Sequence, residues 1–407
     1  MKKIIAIDTS DIGAAYTAEA IISLGYEPLF ITCLDDYYGD TRHQLSLQPI
    51  LQLSDTSNVD TLIAGIQHEN IQDIAGVISF SDAKVRIAAQ LAERLGVPGN
   101  DIATVNLADK SKVQQLIPEF SPHTINFTAD HIPYQQLTQF LTVHHKLMIK
   151  PTQSAGAQGI FTVNNQHELE QIESSIAAQA ETYSSWIAQA FLIGDLISLE
   201  GFVSDGQIHF IDFARREKFK DTETINYFPS NKKIPSTIDQ QAKTAVTTLI
   251  QRSQFKNGYF HVEFIMSADY CYLIDANVGR IGGGGTAQQL GLAYGIAPQD
   301  IFRHVIDITL FNGKNSPIHF YHTTPQATVS VNYGLPFEAI FEATHLPQSK
   351  NFLHTQLIDP GLIIPALGPN NFSWLGIAVG HPDQLFQEIQ QINIVTSQGN
   401  VPPCYTE

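Results

Sequence analysis

Apolar residues in the first hundred positions fall into short unbroken runs separated by segments of helical period. Residues 3–8 (KIIAID), 28–33 (PLFITC) and 74–80 (IAGVISF) are runs of the kind that strands buried on both faces require. Between them, residues 14–24 read as a helix that Ser10 or Asp11 is placed to cap and Gly25 to end. Residues 82–95 repeat apolar positions at helical period and stop before Gly96 and Pro98. This alternation predicts an open parallel α/β sheet over residues 1–105. The first strand is not followed by GxGxxG, and Gly13 alone does not mark a dinucleotide site.

The pattern then changes to strands joined by tight turns. Residues 146–150 (KLMIK), 160–163, 185–192 (SWIAQAFL), 196–203 (LISLEGFV) and 207–214 (QIHFIDFA) are strand-like, with a helix expected over residues 165–180. The last three read as a meander turning at Gly194 and at Asp205-Gly206, which makes a two-layer α+β unit. Residues 259–285 (YFHVEFIMSADYCYLIDANVGRIGGGG) hold two apolar runs that the turn at Ala268-Asp269 would pair as a hairpin. A helix is expected from Thr286. In the last hundred residues, strands are expected at 326–331, 361–365 and 374–379, and a helix at 383–392. No internal repeat or low-complexity tract appears.

Composition narrows the class. The 407 residues are enough for two or three domains, and 43% hydrophobic with 15% charged is a globular balance. A formal net charge of -17 argues against a nucleic-acid partner. Cys33, Cys271 and Cys404 form no CxxC pair, which fits a reducing cytoplasm and neither a disulfide scaffold nor a zinc site. The apolar run at the N-terminus ends at Asp8, too short for a secretory leader. No apolar stretch approaches the ~18 residues of a membrane span.

The hairpin carries the chemistry. Side chains two apart on a strand share a face, so Asp275 and Asn277 point the same way and Glu263 on the partner strand can face them. Two carboxylates and an amide oxygen form a hard site suited to Mg²⁺. Arg280 and four glycines follow at once, an arrangement suited to phosphoryl transfer. An ordinary hairpin with a solvated acidic face is the alternative. Lys150 ends an apolar strand, where a buried ammonium needs an anion. The small-residue loop after it, residues 154–159, offers backbone N–H groups for phosphates; a plain hairpin with a snorkelling lysine is the alternative there. Arg215, Arg216, Lys218 and Lys220 form a basic stretch that reads equally as an anion-binding segment or a solvated loop. His261 lies near the acids and is read as structural in preference to catalytic.

The order Lys110, Lys150-Pro151, small-residue loop, QAFL-x-G, HVEF and LIDANVGRIGG resembles the ATP-grasp superfamily over nearly the whole chain. Within it, the nearest group is the carboxylate–amine ligases that include bacterial L-amino acid ligases. The resemblance implies an ATP-grasp fold with an N-terminal open parallel α/β domain at 1–105. It implies an ATP-grasp domain at 106–312, with a small lid subdomain over residues 146–193, and a C-terminal α+β subdomain at 313–407 that packs on the core. It assigns Lys110, Lys150, Ser154 and Gly156 to ATP phosphates, and Gln189, Ala190, Phe191 and Leu192 to the adenine hinge. Asp195 is an ATP-binding candidate, the residue that, if not another, would replace the ribose contact; Glu263, Asp275 and Asn277 fall to the metal, and Arg280 to the transferring phosphoryl group. Lys218, Gly282 and Gly283 become substrate-binding candidates. Three positions depart from the family pattern. Leu196 stands where a ribose-binding glutamate is usual, Gln189 where the hinge usually starts with glutamate, and Asp275 where the second metal acid is usually glutamate.

These assignments imply an ADP-forming ligase that joins a carboxylate to an amine, both small molecules and most simply amino acids, through an acyl phosphate. ATP and two Mg²⁺ ions, replaceable by Mn²⁺, are the expected cofactors, and a cytoplasmic homodimer without nucleic-acid or membrane partners the expected form. A carboxylase-like or nucleotide-pathway enzyme is the alternative within the class. A degenerate ATP-binding regulatory or scaffold protein, motivated by Leu196, is the alternative outside it.

Overall fold

The computed structural model describes residues 1–406 other than 155, 157, 269, 316, 317, 319, 321, 322, 349 and 370. The first three apolar runs become parallel strands: β1 (Lys3–Ile7), β2 (Glu27–Thr32) and β4 (Ile74–Ile78), with a short β3 (Ile50–Gln52) that the sequence pattern does not announce. Their order is β3-β2-β1-β4. The helix Ala14–Ser23 starts later than its expected caps allow. Its N-cap is Gly13, with no side-chain cap from Ser10 or Asp11. The reason is crowding: a Cβ on Gly13 would lie 2.5 Å from Ser10 Oγ, so the loop after β1 folds tightly on itself. The helix Val85–Leu95 ends at Gly96, in the left-handed conformation that glycine adopts without strain. Helices Gly39–Ser46 and Val59–His68 complete this layer, without a signal in the apolar pattern.

A second sheet is antiparallel, in the order β5 (Thr124–Thr128), β8 (Ser185–Ala190), β6 (Leu147–Pro151), β7 (Phe161–Val163). It is covered by the helices Tyr134–His144 and Gln166–Ala177, whose apolar faces bury Leu137, Leu141, Leu169 and Ile176 against Ile149 and Trp186. The expected meander is corrected here. Strand β8 belongs to this sheet, whereas β9 (Asp195–Ser204) and β10 (Gln207–Phe219) belong to the next. The chain changes sheets at Gly194, where a Cβ would come within 2.3 Å of the Met266 carbonyl oxygen, and only glycine fits that approach.

The largest sheet has eight strands: β13 (Cys271–Val278), β12 (Gly258–Met266), β9, β10, β11 (Thr222–Phe228), β14 (Thr328–Tyr333), β18 (Gly376–Gly380) and β16 (Leu353–Gln356). Strands β12 and β13 pair antiparallel, with Glu263 opposite Asp275 and His261 opposite Asn277. The turn expected at Ala268-Asp269 includes Asp269, which lies outside the described residues. The basic stretch is not a loop: β10 runs on through Arg215, Arg216 and Lys218, and β11 pairs back along it. The C-terminal segment joins the central sheet directly. Its strands β14, β18 and β16 extend the central sheet, because Ile225–Phe228 on β11 offers an unpaired edge. The remaining strands, β15 (Ala339–His345), β17 (Ile363–Ile364), β19 (Asn393–Thr396) and β20 (Gly399–Val401), form a small antiparallel sheet beside it. Among the described residues no helix is long and apolar enough to cross a membrane.

Candidate active site

The hairpin β12/β13 sets two carboxylates side by side, and cations reach them from elsewhere in the chain. Lys110 opens the helix Lys110–Leu116, whose N-cap is Asp109. Its ammonium lies 3.2 Å from Asp275 Oδ2 and donates to the Ser154 carbonyl at 3.3 Å. Burial opposes the Lys110 charge, but Asp275 and Asp82 outweigh it and raise the pKa. Lys150, on β6, is buried and donates to the Ile274 carbonyl at 3.3 Å. Burial first, and then the nearby charge of Lys110, bring Lys150 down to about 8. Two lysines therefore converge on Asp275, with Glu263 opposing both charges and Asp82 opposing that of Lys110.

Glu263 is satisfied differently. Its Oε1 accepts from Arg216 Nη1 at 2.7 Å and lies 3.2 Å from His261 Nε2. Arg216 also binds Glu223 at 2.7 Å and reaches His261, and His261 Nδ1 bonds Glu200. Glu200 and His261 are 2% and 1% exposed, so the centre of this network is buried, while Glu263 and Glu223 at its rim are partly exposed. Burial raises the Glu263 carboxyl, but the Arg216 charge and then His261 overcome that and hold it well below the usual carboxylate range. Burial opposes a charge on His261, but Glu200 outweighs it and raises the imidazole pKa. His261 thus has a structural place, between two carboxylates and a guanidinium. Glu200 and Glu223 are absent from the sequence-derived site. The signal for Glu200 is an acid inside the apolar run 196–203, which is costly unless paired.

Arg280 is buried, donating to Asp82 Oδ1 at 3.1 Å and to the Ile281 carbonyl at 3.1 Å. It lines one cavity with Asp82, Lys110, Ser154, Asp275 and Asn277. Lys218 is exposed, and its charge acts on both Glu263 and Lys150. Of the glycines, Gly282 is packed under His261, where a Cβ would lie 2.9 Å from Nδ1, while Gly283 faces open space.

The expected adenine hinge follows β8. Gln189 is 3% exposed and its Nε2 has no partner among the described residues. Ala190 donates its N–H to the His123 carbonyl at 3.0 Å, so only its carbonyl is left for a ligand. Lys146 sits over the Phe191 ring, 3.9 Å from its centroid. Leu192 lies just past the end of the strand. Asp195 is committed elsewhere: it accepts from Lys232 at 2.7 Å and from Arg215 at 3.4 Å. Leu196 is buried in the sheet. Of the small-residue loop, Ala155 and Ala157 lie outside the described residues, while the Gly156 carbonyl accepts the Asn371 N–H at 3.3 Å.

The donor set fits Mg²⁺. Glu263 and Asp275 are paired across the hairpin and Asn277 lies beside them, an oxygen-only set that leaves positions for water and phosphate. Among the described residues no three His, Cys, Asp or Glu side chains gather as a self-sufficient metal cage.

Residues 143–288 match the model of the ATP-grasp domain. The chain carries an ATP-grasp domain. A curated relative, dapdiamide A synthase from Enterobacter agglomerans, is 23% identical over 295 residues, covering 70% of this chain and 68% of that one. Among solved structures, an L-amino acid ligase from Bacillus licheniformis matches with a TM-score of 0.75 at 16% identity, covering 97% of this chain and 98% of that one. A phosphoribosylglycinamide synthetase from Anaerococcus prevotii matches with a TM-score of 0.71 at 16% identity, over 97% of this chain and 99% of that one. These structural likenesses establish the ATP-grasp fold for the chain. Proteins with this domain generally use ATP and Mg²⁺, and the oxygen donors on β12 and β13 suit the metal.

Proposed function

We propose that this protein is an ATP-dependent carboxylate–amine ligase that forms an amide through an acyl phosphate and releases ADP and phosphate. One observation carries the reading: Lys110 meets Asp275 in a cavity that Asn277 and Arg280 also line, and the buried Lys150, from a separate element, lies close enough to feel the charges of Lys110, Asp275 and Glu263. Buried lysines with so few acids are suited to the phosphates of a nucleotide. The likeness to a dapdiamide synthase and to an L-amino acid ligase favours amino acids as both substrates.

In this reading Lys110, Lys150 and the N–H groups around Ser154 and Gly156 hold the phosphates. Gln189, the Ala190 carbonyl, Phe191 and Leu192 receive the base, and the unpartnered Gln189 Nε2 is consistent with a missing acceptor. Asp195 is assigned to the ribose only if Arg215 and Lys232 release it. Glu263, Asp275 and Asn277 would hold Mg²⁺, as two ions for which Mn²⁺ could substitute. The metal supplies charge neutralisation between the phosphates. The substrate carboxylate attacks the γ-phosphorus and ADP leaves. Arg280 steadies the transferring group. The amine then forms the C–N bond as the C–O bond to phosphate breaks. Residues 153–159 close over the intermediate, since an acyl phosphate in water hydrolyses. Lys218 and the open face at Gly283 are placed for substrate, and the enzyme is read as a cytoplasmic homodimer.

The test is to incubate the protein with Mg·ATP and pooled amino acids and to follow ADP, phosphate and AMP. Release of ADP that depends on amino acids is expected. Stoichiometric AMP rules out the acyl phosphate, and binding without turnover favours the regulatory or scaffold alternative.

A further inference from the structure

We propose that Asp82, supplied by the N-terminal sheet, receives the amine substrate: it anchors the incoming ammonium group and takes its proton. This rests on the ligase reading above. Asp82 lies just beyond β4, 198 residues from its partner Arg280, at the carboxyl ends of the parallel strands where open α/β sheets bind ligands. Its placement is built, not incidental. The Gly279 carbonyl accepts from the buried Asn100 side chain at 2.9 Å. Gly279 itself, at φ 93°, is pressed so closely on Thr104 and Val85 that a Cβ would lie 2.5 Å from Thr104 Cγ2. The backbone leading to Arg280 is thus bolted to the N-terminal unit, and the Asp82–Arg280 pair is fixed across that joint.

The carboxylate is out of place for a nucleotide pocket. It lines the same cavity as Lys110, Ser154, Asp275 and Asn277, where a negative group repels phosphate. Both Arg280 contacts fall on Oδ1, at 3.1 Å from Nε and from Nη2. Among the described residues no hydrogen bond falls on Oδ2, which is left for another donor. The Asp82 side chain is 41% exposed while that of Arg280 is 9% exposed, so the acid is the member of the pair that an incoming molecule meets. A carboxylate beside the arginine that faces the acyl group is suited to a cation arriving to attack that group. An ammonium is such a cation.

The step balances. The amine enters as R–NH₃⁺ and gives one proton to Asp82 Oδ2. The freed lone pair forms the C–N bond, and the C–O bond to phosphate breaks. The second proton leaves nitrogen with the departing phosphate, and Asp82 returns its own to water.

Hydroxylamine separates this role from others, because it attacks acyl phosphates as a neutral nucleophile and needs neither anchor nor base. Wild-type protein and Asp82→Asn are each given Mg·ATP and pooled amino acids, with and without hydroxylamine, and amide and hydroxamate are measured. The expected result is a ratio of amide to hydroxamate lower by ~10²-fold or more in Asp82→Asn, the span of a lost general base. Equal loss of both products overturns the proposal, since Asp82 then serves only to hold Arg280 or a metal. No loss of either overturns it too. Should Asp82→Asn not fold, Asp82→Glu keeps the ion pair and shifts the carboxylate by one methylene. A selective fall in amide supports the role, and parallel or absent loss overturns it. If the wild-type protein yields neither product, the ligase reading falls and this assignment with it.

Discussion

Two clusters of charge lie on neighbouring parts of the same sheet and are built on opposite principles. Around Glu263, Arg216 is shared with Glu223 at 2.7 Å on each side, and His261 is locked to Glu200. Every charge there has a partner supplied by the fold. Around Asp275, Lys110 and Lys150 make contacts of 3.2–3.3 Å, two of them only to backbone carbonyls, and burial brings Lys150 down to about 8. In the first cluster each charged group faces an opposite charge at short range, while in the second the buried Lys150 makes its one hydrogen bond among the described residues to a backbone carbonyl. A saturated network is suited to fix the hairpin in place, and an under-paired one to bind phosphate.

The largest effect expected from breaking this contrast falls on the saturated side. Arg216→Met leaves Glu200, Glu223 and Glu263 facing one another, and loss of one partner of a buried pair costs about 3–5 kcal/mol. Urea unfolding of the variant measures it. A loss within the roughly 0–1 kcal/mol range typical of an exposed ion pair would show that the network is not buried at its centre. Lys150→Met makes the opposite case. It should leave stability unchanged or improved while removing nucleotide binding.

Arg280 belongs to the under-paired side, although Asp82 holds it. A lysine cannot reproduce its planar fork. Arg280→Lys should therefore keep Mg·ATP binding and lose roughly 10²–10³ in kcat, about 2.7–4 kcal/mol. Calorimetric affinity and kcat on one preparation decide the matter. An unchanged kcat shows that Arg280 only fastens the N-terminal unit to the hairpin.

A pH series sharpens the comparison further. Lys150 has a folded pKa below its unfolded one, so its charged form destabilises the fold, and that cost is present below about pH 8 and relieved progressively from there up to the ordinary lysine value of 10.5. Phosphate favours the charged form. Affinity for Mg·ATP should accordingly fall between about pH 7 and pH 9, with proton uptake on binding at the upper end. The Lys150→Arg variant, whose guanidinium stays charged throughout this range, should flatten the curve. A flat curve for the wild-type protein sets Lys150 outside the phosphate site.

The smallest expected effect tests how the small-residue loop is tied to the saturated network. Asn371 accepts the Glu223 N–H at 2.9 Å, donates its own N–H to Gly156, and lies beside Trp374, whose indole N–H binds the Glu223 carbonyl at 2.8 Å. Asn371→Ala should cost about 1 kcal/mol and speed amide hydrogen exchange around Gly156. Unchanged exchange there separates the loop from Glu223.

The pairing of Glu263 with Asp275 was legible because strand alternation is local: two apolar runs and a short connection fix which side chains share a face. The parallel sheet was legible for the same reason, through runs such as residues 74–80. Arg216 was not. A basic residue after an apolar run reads equally as solvent-facing loop or buried strand, and only the return of β11 along β10 buries it. Nor could residues 185–203 reveal that they serve two sheets, since the change at Gly194 depends on Met266 lying against it.

The sequence by itself determined the strand and helix periods, the order of the ATP-grasp motifs, and which oxygen-bearing side chains the hairpin pairs, because these depend on neighbours within a few residues. Tertiary structure decided which cations meet which acids, and that the C-terminal strands complete the central sheet. It also brought Asp82 to Arg280 across 198 residues. Charge pairing acts through space, and its strength is set by burial and distance, neither of which is written in the spacing of residues along the chain.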